Sequence, residues 1–489
     1  MDVQGSESKM TEDEAKQYRK MILTPPGKLI FRLAVPTVIS MLITMIYNLV
    51  DAYFVGRLGA SASAAIGILI NVNAAFQAFG FMYGQGSGSK IARLLAAGKK
   101  DDADRILVVG LTGALITGFV LMSIVLIFLR PIIYILGSTD TIYPYAHTYA
   151  FYVLLSSPVL CASCVLNNVM RYEGRAFFAM FGLVSGGVLN MVLDPILMFG
   201  LNLGIKGAAL STMVSQYVSF FILLSMFLHH KTISAIKLSY LKLPFNELMK
   251  DAVSIIKTGL PSLIRQLFAV LSNATLNNCS KPYDDPAIAA MTIDGRILMF
   301  IGSAMIGIGQ GFQPVSAFNY GSKKYGRLRR SAFVTWRAGT IIMAVLAVIG
   351  FTRTADIIRI FLHDEPEVVD QVLYYGVPAL RFMCIAVVIQ PVSVVANMLF
   401  QSIGEARTSS FLSSLRSGLC YIPCLLILPL FLGFTGIQCS QMCADIMAAA
   451  ISFPFLLRFF RRIPHEDENT PQDDKYREYV ELHDVQKTA

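Results

Sequence analysis

The stretch PTVISMLITMIYNLVDAYFVG, residues 36–56, decides the fold of this chain. Asp51 is its one charged residue, and a helix of this length crosses roughly 30 Å of hydrocarbon. Similar segments recur on both sides of it along most of the sequence. The whole chain is 55% hydrophobic and 15% charged, whereas a soluble domain carries roughly 25% charged residues. The sequence therefore predicts an all-α polytopic membrane protein, since helices satisfy their own backbone polar groups in lipid.

Twelve transmembrane helices are predicted from the apolar runs that are bounded by charge, proline or glycine. We number them spans 1 to 12 in chain order. They lie near residues 29–56, 62–88, 106–130, 143–170, 176–201, 207–229, 253–277, 287–312, 332–352, 370–400, 411–433 and 436–458.

Positive charge is concentrated in alternate connections between these spans. The formal net charge of +9 is thereby explained by membrane topology rather than by a nucleic-acid partner. The positive-inside rule then predicts that both termini lie in the cytoplasm, and we predict the inner membrane as the setting. The residues concerned are Lys90, Arg93, Lys99, Lys100, Arg105, Arg171, Arg175, Lys231, Lys237, Lys242, Lys250, Lys323, Lys324, Arg327, Arg329, Arg330, Arg407, Arg416, Arg458, Arg461 and Arg462.

The chain contains an internal repeat. The tetrapeptide ending at Pro36 reappears in related form at Pro261, and Gly84-Gln85-Gly86 reappears as Gly309-Gln310-Gly311. Both pairs are separated by 225 residues. Because each half holds an even number of spans, both halves insert in the same orientation. The repeat predicts two pseudo-symmetric six-helix bundles around a central cavity.

The predicted domain boundaries follow from these patterns. A cytoplasmic amino-terminal tail takes residues 1–27, spans 1 to 6 form a lobe over 28–230, and a basic cytoplasmic linker covers 231–250. Spans 7 to 12 form the second lobe over 251–462, and a disordered cytoplasmic tail takes 463–489. Two fused lobes already enclose a pathway, so we predict a monomer.

Intramembrane carboxylates are the first candidates for function, because an ionisable group at membrane depth is costly without a partner or water. Asp51 follows Asn48 by three residues, and Asp194 follows Asn190 by four, so each helix is expected to place an amide beside a carboxylate. Pro195 is expected to bend span 5 and free a backbone carbonyl.

Such a set of oxygen donors suits a hard cation such as Na⁺, and a desolvated carboxylate suits a proton. The sequence does not choose between them. Two structural alternatives also stay open: Asp51 caps a loop at the outer interface, or Asn190 and Asp194 only bond across a helix interface.

Further polar and aromatic residues are candidates for the lining of a substrate cavity. Flat rings and polar groups suit small cationic or amphipathic solutes. Arg265 is expected to neutralise a carboxylate such as Asp294, whose own role stays open, and Asp445 is expected to make a packing hydrogen bond. The cavity candidates are Tyr47, Asn48, Gln85, Arg265, Gln266 and Asp294.

Several function classes lack support in the sequence. The lysine-bearing phosphate loop of ATP-driven pumps is missing, and no zinc-binding histidine pair or nucleophile with a nearby histidine indicates an enzyme. We therefore predict a protein that is not an enzyme and uses no cofactor apart from a coupling Na⁺ or H⁺.

From Gly27 to Arg462 the chain resembles the multidrug and toxin extrusion (MATE) family, in its DinF-like prokaryotic branch. The resemblance is carried by four motifs: residues 36–56, Gly84-Gln85-Gly86, Asn190 to Pro195, and Lys206 to Thr212. It implies multidrug and organic-cation efflux by antiport with Na⁺ or H⁺, through a rocker-switch exchange between two six-helix lobes.

The resemblance also implies which residues hold the coupling ion. In the DinF-like branch the amino-terminal lobe holds it, at positions that match Asp51, Asn190, Asp194 and Thr212 here. Other branches use acidic residues in spans 7 and 10. In this chain span 7 offers Arg265 and Gln266 instead, and the helix around Gln390-Pro391 has no carboxylate. A flippase for lipid-linked oligosaccharides or other lipids, with the same two-lobe plan, is the alternative.

Overall fold

The computed structural model describes residues 10–283, 285–362 and 366–488. Twelve helices within these ranges are long and apolar enough to cross a membrane. The predicted all-α fold class is thereby confirmed. The spans are Pro26–Gly56, Ala60–Ala96, Lys100–Ile127, Tyr143–Tyr172, Ala176–Gly200, Ile205–Leu228, Phe245–Ser280, Pro286–Gly321, Tyr325–Thr352, Glu367–Val387, Ala406–Leu432 and Phe434–Arg462.

Several spans continue beyond their predicted ends. Span 2 extends to Ala96 and span 8 to Gly321, and span 7 begins at Phe245. The prediction stopped at the first charged or polar residues. The extensions of spans 2 and 8 are largely buried, and polar side chains such as Ser89 and Lys90 pair with the other half. The extension at the start of span 7 is mostly exposed.

Some helices are interrupted where the sequence perturbs the hydrogen-bond ladder. The predicted tenth helix divides into Pro366–Val387 and Gln390–Ile403, because Pro391 lacks a backbone donor. Single π-helical turns lie at Ile196–Gly200, directly after Pro195, and at Leu415–Leu419. Spans 3 and 9 are followed by the short helices Leu129–Ile135 and Thr354–Arg359.

The two halves of the chain repeat the same packing. In the first half span 1 packs against span 5, span 5 against span 6, and span 2 against span 4. In the second half span 7 packs against span 11, span 11 against span 12, and span 8 against span 10. Between the halves span 2 crosses span 7 and span 8 crosses span 1, so the contact is itself pseudo-symmetric.

The last glycine of each repeated Gly-Gln-Gly motif lies at one of these crossings. A Cβ on Gly86 would collide with the carbonyl group of Ile255 in span 7. A Cβ on Gly311 would lie 2.7 Å from the backbone of Ala34 in span 1. Glycine is therefore required because two helix backbones touch.

Hydrogen bonds close the same end of the molecule. Arg171 of span 4 donates to the side chain of Gln310 in the other half. Ser89 Oγ lies 2.9 Å from the carbonyl oxygen of Ser402. Lys90 Nζ lies 3.0 Å from the carboxylate of Asp251.

Two terminal helices cover this closed end. The amino-terminal helix Glu12–Tyr18 contacts the carboxy-terminal helix Pro471–Thr488. Tyr18 donates a hydrogen bond to Asp473, and Lys324, which directly precedes span 9, lies 2.9 Å from the same carboxylate. Both termini therefore lie at one end of the bundle, as an even number of spans requires.

The prediction of a disordered tail over 463–489 is wrong for residues 471–488, which are helical. This segment has no apolar periodicity of its own. Its order comes from tertiary contacts such as the ring of Tyr476, which lies 5.2 Å from that of Tyr18. Of the predicted tails, residues 1–9 and 489 lie outside the described residues.

The linker between the halves is anchored to the first half. Glu173 accepts hydrogen bonds from the backbone N–H groups of Ile233 and Ser234, at 2.8 and 2.9 Å. Asp104 accepts one from the N–H of Ala235 at 2.8 Å and pairs with Lys237 at 2.9 Å. The linker thus rests on two carboxylates at the end that carries the termini.

Candidate functional site

Spans 5 and 6 bring together three of the four predicted ion-site residues. Asn190 Nδ2 lies 3.3 Å from Asp194 Oδ1 on the same helix and 3.5 Å from Thr212 Oγ1 on span 6. Asn190 and Asp194 are both buried, with 3% and 0% of their surface exposed. The spacing of four residues on span 5 predicted this common face correctly.

Asp51 of span 1 faces the same cluster. Its charge interacts with that of Asp194, because span 1 packs against span 5. Tyr47, one turn earlier on span 1, lies against Gly187, where the absence of a side chain leaves space for the ring. The structure thus places the two carboxylates near each other from two helices that are far apart in sequence.

Both carboxylates retain an unsatisfied oxygen. Asp51 Oδ1 and Asp194 Oδ2 are buried and have no hydrogen-bond partner among the described residues. A buried anionic oxygen without a partner is costly, and a bound cation or proton would remove that cost. The carboxylate and hydroxyl oxygens of this cluster fit a hard monovalent cation, and the Asn190 amide nitrogen donates hydrogen bonds to them.

Two residues of this cluster were missed in the sequence. Ser211 Oγ lies 3.0 Å from Asn190 Nδ2 and also donates to the Asn190 carbonyl oxygen at 3.1 Å. Tyr149 of span 4 lies near Thr212, Asp51 and Asp194. Ser211 directly precedes Thr212 in the recognised motif and was available to the prediction, whereas no sequence pattern places Tyr149 there.

Asn48 does not behave as predicted beside Asp51. Its side chain is exposed and makes no hydrogen bond to Asp51 in the part of the chain that the structure describes. A spacing of three residues turns it about 60° from Asp51 around the helix, enough to leave the buried face.

Gln85 lies in the closed junction between the halves rather than facing open space. It is 1% exposed, and its Oε1 accepts a hydrogen bond from the Tyr172 hydroxyl at 2.9 Å. Its counterpart in the repeat, Gln310, accepts from Arg171. The two glutamines therefore join span 4 to spans 2 and 8.

The expected pairing of Arg265 with Asp294 is wrong. Both carboxylate oxygens of Asp294 are buried without a hydrogen-bond partner among the described residues. Asp294 lies beside Gly376 between spans 8 and 10, whereas Arg265 lies near Tyr172 and Arg171 of span 4. Gln266, next to Arg265 on span 7, is half-buried.

The second half holds a neutralised carboxylate. Arg416 Nε lies 2.8 Å from Asp445 Oδ1, and Gln441 Nε2 lies 3.1 Å from the same oxygen. The packing hydrogen bond expected for Asp445 is therefore present, as an ion pair. Arg416, which was predicted beside the connection between spans 10 and 11 and inside the predicted span 11, lies in the π-helical turn Leu415–Leu419 of that span.

Comparison with known proteins gives consistent matches over nearly the whole chain. The MatE family model matches residues 36–196 and 261–427, one segment in each half. The multidrug export protein MepA of Staphylococcus saprophyticus is 28% identical over 428 residues, which are 87% of this chain and 92% of that protein. MepA of Staphylococcus aureus (strain MRSA252) is 25% identical over 452 residues, covering 92% and 97%.

Solved structures show the same fold. A MOP superfamily transporter from Pyrococcus furiosus Vc1 matches with a TM-score of 0.85 and 26% identity, over 93% of this chain and 99% of that one. A multidrug resistance MATE family transporter in an outward-facing conformation matches with the same score, identity and coverage.

Proposed function

Since the chain belongs to the MatE family, we propose that it is a secondary active exporter of small organic cations and amphipathic drugs, coupled to entry of Na⁺ or H⁺. Multidrug export by a MATE transporter is supported by the family match, by the relatives and by the solved structures. The ion, the substrate class and the mechanism form the new part of the proposal.

The observation that carries the proposal is the contrast between the two halves. In the first half Asp51 and Asp194 each keep a buried oxygen without a partner. In the second half Asp445 is paired with Arg416, and the buried Asp294 has no side chain hydrogen-bonded to it among the described residues. A carboxylate already neutralised by arginine has little attraction for a further cation, and a single carboxylate offers fewer oxygen ligands than the cluster around Asp194, so the first half is the better cation site.

Asp51, Asn190, Asp194 and Thr212 would hold the ion. Na⁺ would take oxygen ligands from these side chains, and a proton would reside on one of the two carboxylates. Either species removes the repulsion between two buried negative charges. A cationic substrate would compete for the same negative charge, which links its release to ion binding.

Transport requires a second conformation in which the closed end opens. The glycine crossings and the hydrogen bonds from Arg171 and Ser89 join the halves at the end that carries the termini. We propose that ion binding in the first half changes the relative stability of this closed state and of its open counterpart. Such a shift requires a difference in ion affinity between the two states.

The proposed setting is the inner membrane, with the closed end and both termini in the cytoplasm. The basic residues at this end support that orientation. One copy of the chain would suffice, because its two halves together form the pathway.

One observation favours the alternative of a lipid flippase. The charge of Arg265 interacts with that of Arg171, and cationic residues suit a lipid-linked diphosphate. The unpartnered carboxylates of the first half favour the cation exporter instead. Vesicles that translocated a labelled polyprenyl diphosphate sugar, but exchanged no organic cation, would establish the flippase.

The test of the proposal is drug efflux by Asp51→Asn and Asp194→Asn variants in cells that lack their own pumps. Both changes remove charge with little change of volume, and we expect efflux to fall by about tenfold or more. Asp140→Asn, which alters an exposed carboxylate outside the spans, is the matched control and should export normally. Undiminished export by both site variants would reject the proposal.

Counterflow in proteoliposomes would identify the ion. A sodium gradient and a proton gradient are imposed in separate experiments on the unmodified protein. Uptake that follows one gradient and is lost in Asp194→Asn assigns that ion to this site.

A further inference from the structure

A crevice of about 930 Å³ lies between the amino-terminal helix, the start of span 1 and the connection that leads into span 5. We call it the terminal crevice. It lies at the end that carries both termini, outside the ion site. Among the residues that line it are Lys20, Lys28, Phe31, Arg32, Arg175 and Phe177.

The residues that line the terminal crevice carry more positive than negative charge. Lys28 and Arg32 form no ion pair or hydrogen bond that the structure records among the described residues. Two carboxylates, Asp13 and Glu173, also line the crevice, against the five cations Lys16, Lys20, Lys28, Arg32 and Arg175. Both oxygens of Glu173 accept hydrogen bonds from the linker backbone. Burial, together with the charges of Arg32 and Arg175, lowers the pKa of Lys20 to about 8.

An apolar surface adjoins these charges. Phe31 is 68% exposed and Phe177 is 61% exposed, and each lies in the first turns of a span. Side chains in such positions face the acyl region of a bilayer just inside its boundary, while the lysine and arginine side chains reach the headgroup region. A soluble anion would pair with the lysine and arginine side chains but would not contact the two phenylalanine rings.

We propose that the terminal crevice binds the phosphate headgroup of an anionic phospholipid, with Lys28 and Arg32 at the phosphate and the acyl chains along Phe31 and Phe177. The ligand chemistry is a phosphate mono-anion. Attraction of basic residues near the membrane surface to anionic lipid is a general effect. Here the crevice would hold the bound lipid at one place on the protein.

The amino-terminal helix forms one wall of the crevice. Lys20 Nζ lies 2.6 Å from the carbonyl oxygen of Gly174, and Gln17 Nε2 lies 3.3 Å from that of Glu173. A lipid phosphate beside Lys20 would reduce the repulsion among the cations. The bound lipid would therefore hold this helix against the first half of the protein.

The test uses the full-length protein in neutral detergent. Native mass spectrometry measures the retention of added phosphatidylglycerol and, separately, of phosphatidylcholine. We expect one phosphatidylglycerol to be retained with about tenfold preference over phosphatidylcholine. The variant Lys28→Gln with Arg32→Gln should lose most of that preference.

A matched control removes two other cations at the same end. Arg461→Gln with Arg462→Gln alters exposed residues at the end of span 12, and this variant should keep the preference. Gel filtration verifies that both variants are folded, and hydrogen exchange in residues 10–24 provides a second readout. Phosphatidylglycerol should slow that exchange in the unmodified protein but not in the crevice variant.

Separate arms distinguish a lipid from a soluble anion. Inorganic phosphate at the same concentration should neither displace phosphatidylglycerol nor slow the exchange. Equal retention of both lipids, unchanged preference in the crevice variant, or full displacement by inorganic phosphate would each overturn the proposal.

Discussion

Gly86 of span 2 lies directly against the backbone carbonyl group of Ile255 in span 7. The contact joins the two halves at the end that carries the termini. It explains why the sequence repeats a glycine here, since any side chain would separate the helices.

We therefore predict that Gly86→Ala weakens the closed state. The added Cβ meets backbone rather than a flexible side chain, and overpacking of this kind costs about 1–3 kcal/mol. Thermal unfolding in detergent should occur at a lower temperature, and efflux should fall. Gly67→Ala on the same span is the control, because nothing lies within 4 Å of its Cβ position. Equal stability of the two variants would contradict the prediction.

Ser211 is predicted to support the ion site through Asn190. Ser211→Ala leaves the Asn190 amide and carbonyl each short of one partner, at a cost of about 1–3 kcal/mol. We expect the concentration of coupling ion that gives half-maximal counterflow to rise several-fold. Ser219→Ala removes a similar bond between spans 6 and 5, to the carbonyl oxygen of Gly182, and should leave that concentration unchanged.

The ion pair of Arg416 and Asp445 is predicted to be structural. Removing one partner leaves a buried charge uncompensated and costs about 3–5 kcal/mol, whereas replacing both by apolar residues costs less. Stability measurements on Arg416→Met, Asp445→Leu and the double variant form a cycle. The double variant should be more stable than the sum of the single effects predicts; additive losses would show that the two side chains act independently.

The terminal helices are predicted to loosen when Asp473 is neutralised. Asp473→Asn weakens the bonds from Tyr18 and Lys324, so hydrogen exchange in residues 10–24 should accelerate. Asp474→Asn, one residue on and exposed, is the control. Equal exchange in both variants would show that the carboxylate does not hold the helices.

The pH dependence of this contact follows from the same carboxylate. Burial opposes ionisation, but hydrogen bonds from Tyr18, Lys324 and Thr470 outweigh it and lower the pKa of Asp473 below its ordinary value of 3.8. A lowered pKa in the folded state means that the stabilisation is complete above pH 3.8 and is lost as the pH falls through the folded pKa. Protection of residues 10–24 should therefore be constant from pH 5 to 7, which lies below the pKa of about 8 of Lys20, after correction for intrinsic exchange. A loss of protection within that range would contradict this assignment.

The sequence by itself determined the number of spans and the internal repeat. Both depend on local composition and on spacing along the chain, which hydrocarbon thickness and helix geometry convert directly into structure. The common face of Asn190 and Asp194 was predictable for the same reason, since one helical turn separates them. The approach of Asp51 to Asp194 was expected only from the family resemblance.

Only the tertiary structure decided which distant groups meet. Asp294 lies apart from Arg265, Arg416 pairs with Asp445, and the tail at 471–488 is a helix. Each of these outcomes depends on packing between segments that are separated by tens to hundreds of residues. A charge pattern along the chain indicates that a buried ion needs a partner, but the crossing of the helices determines which partner it has.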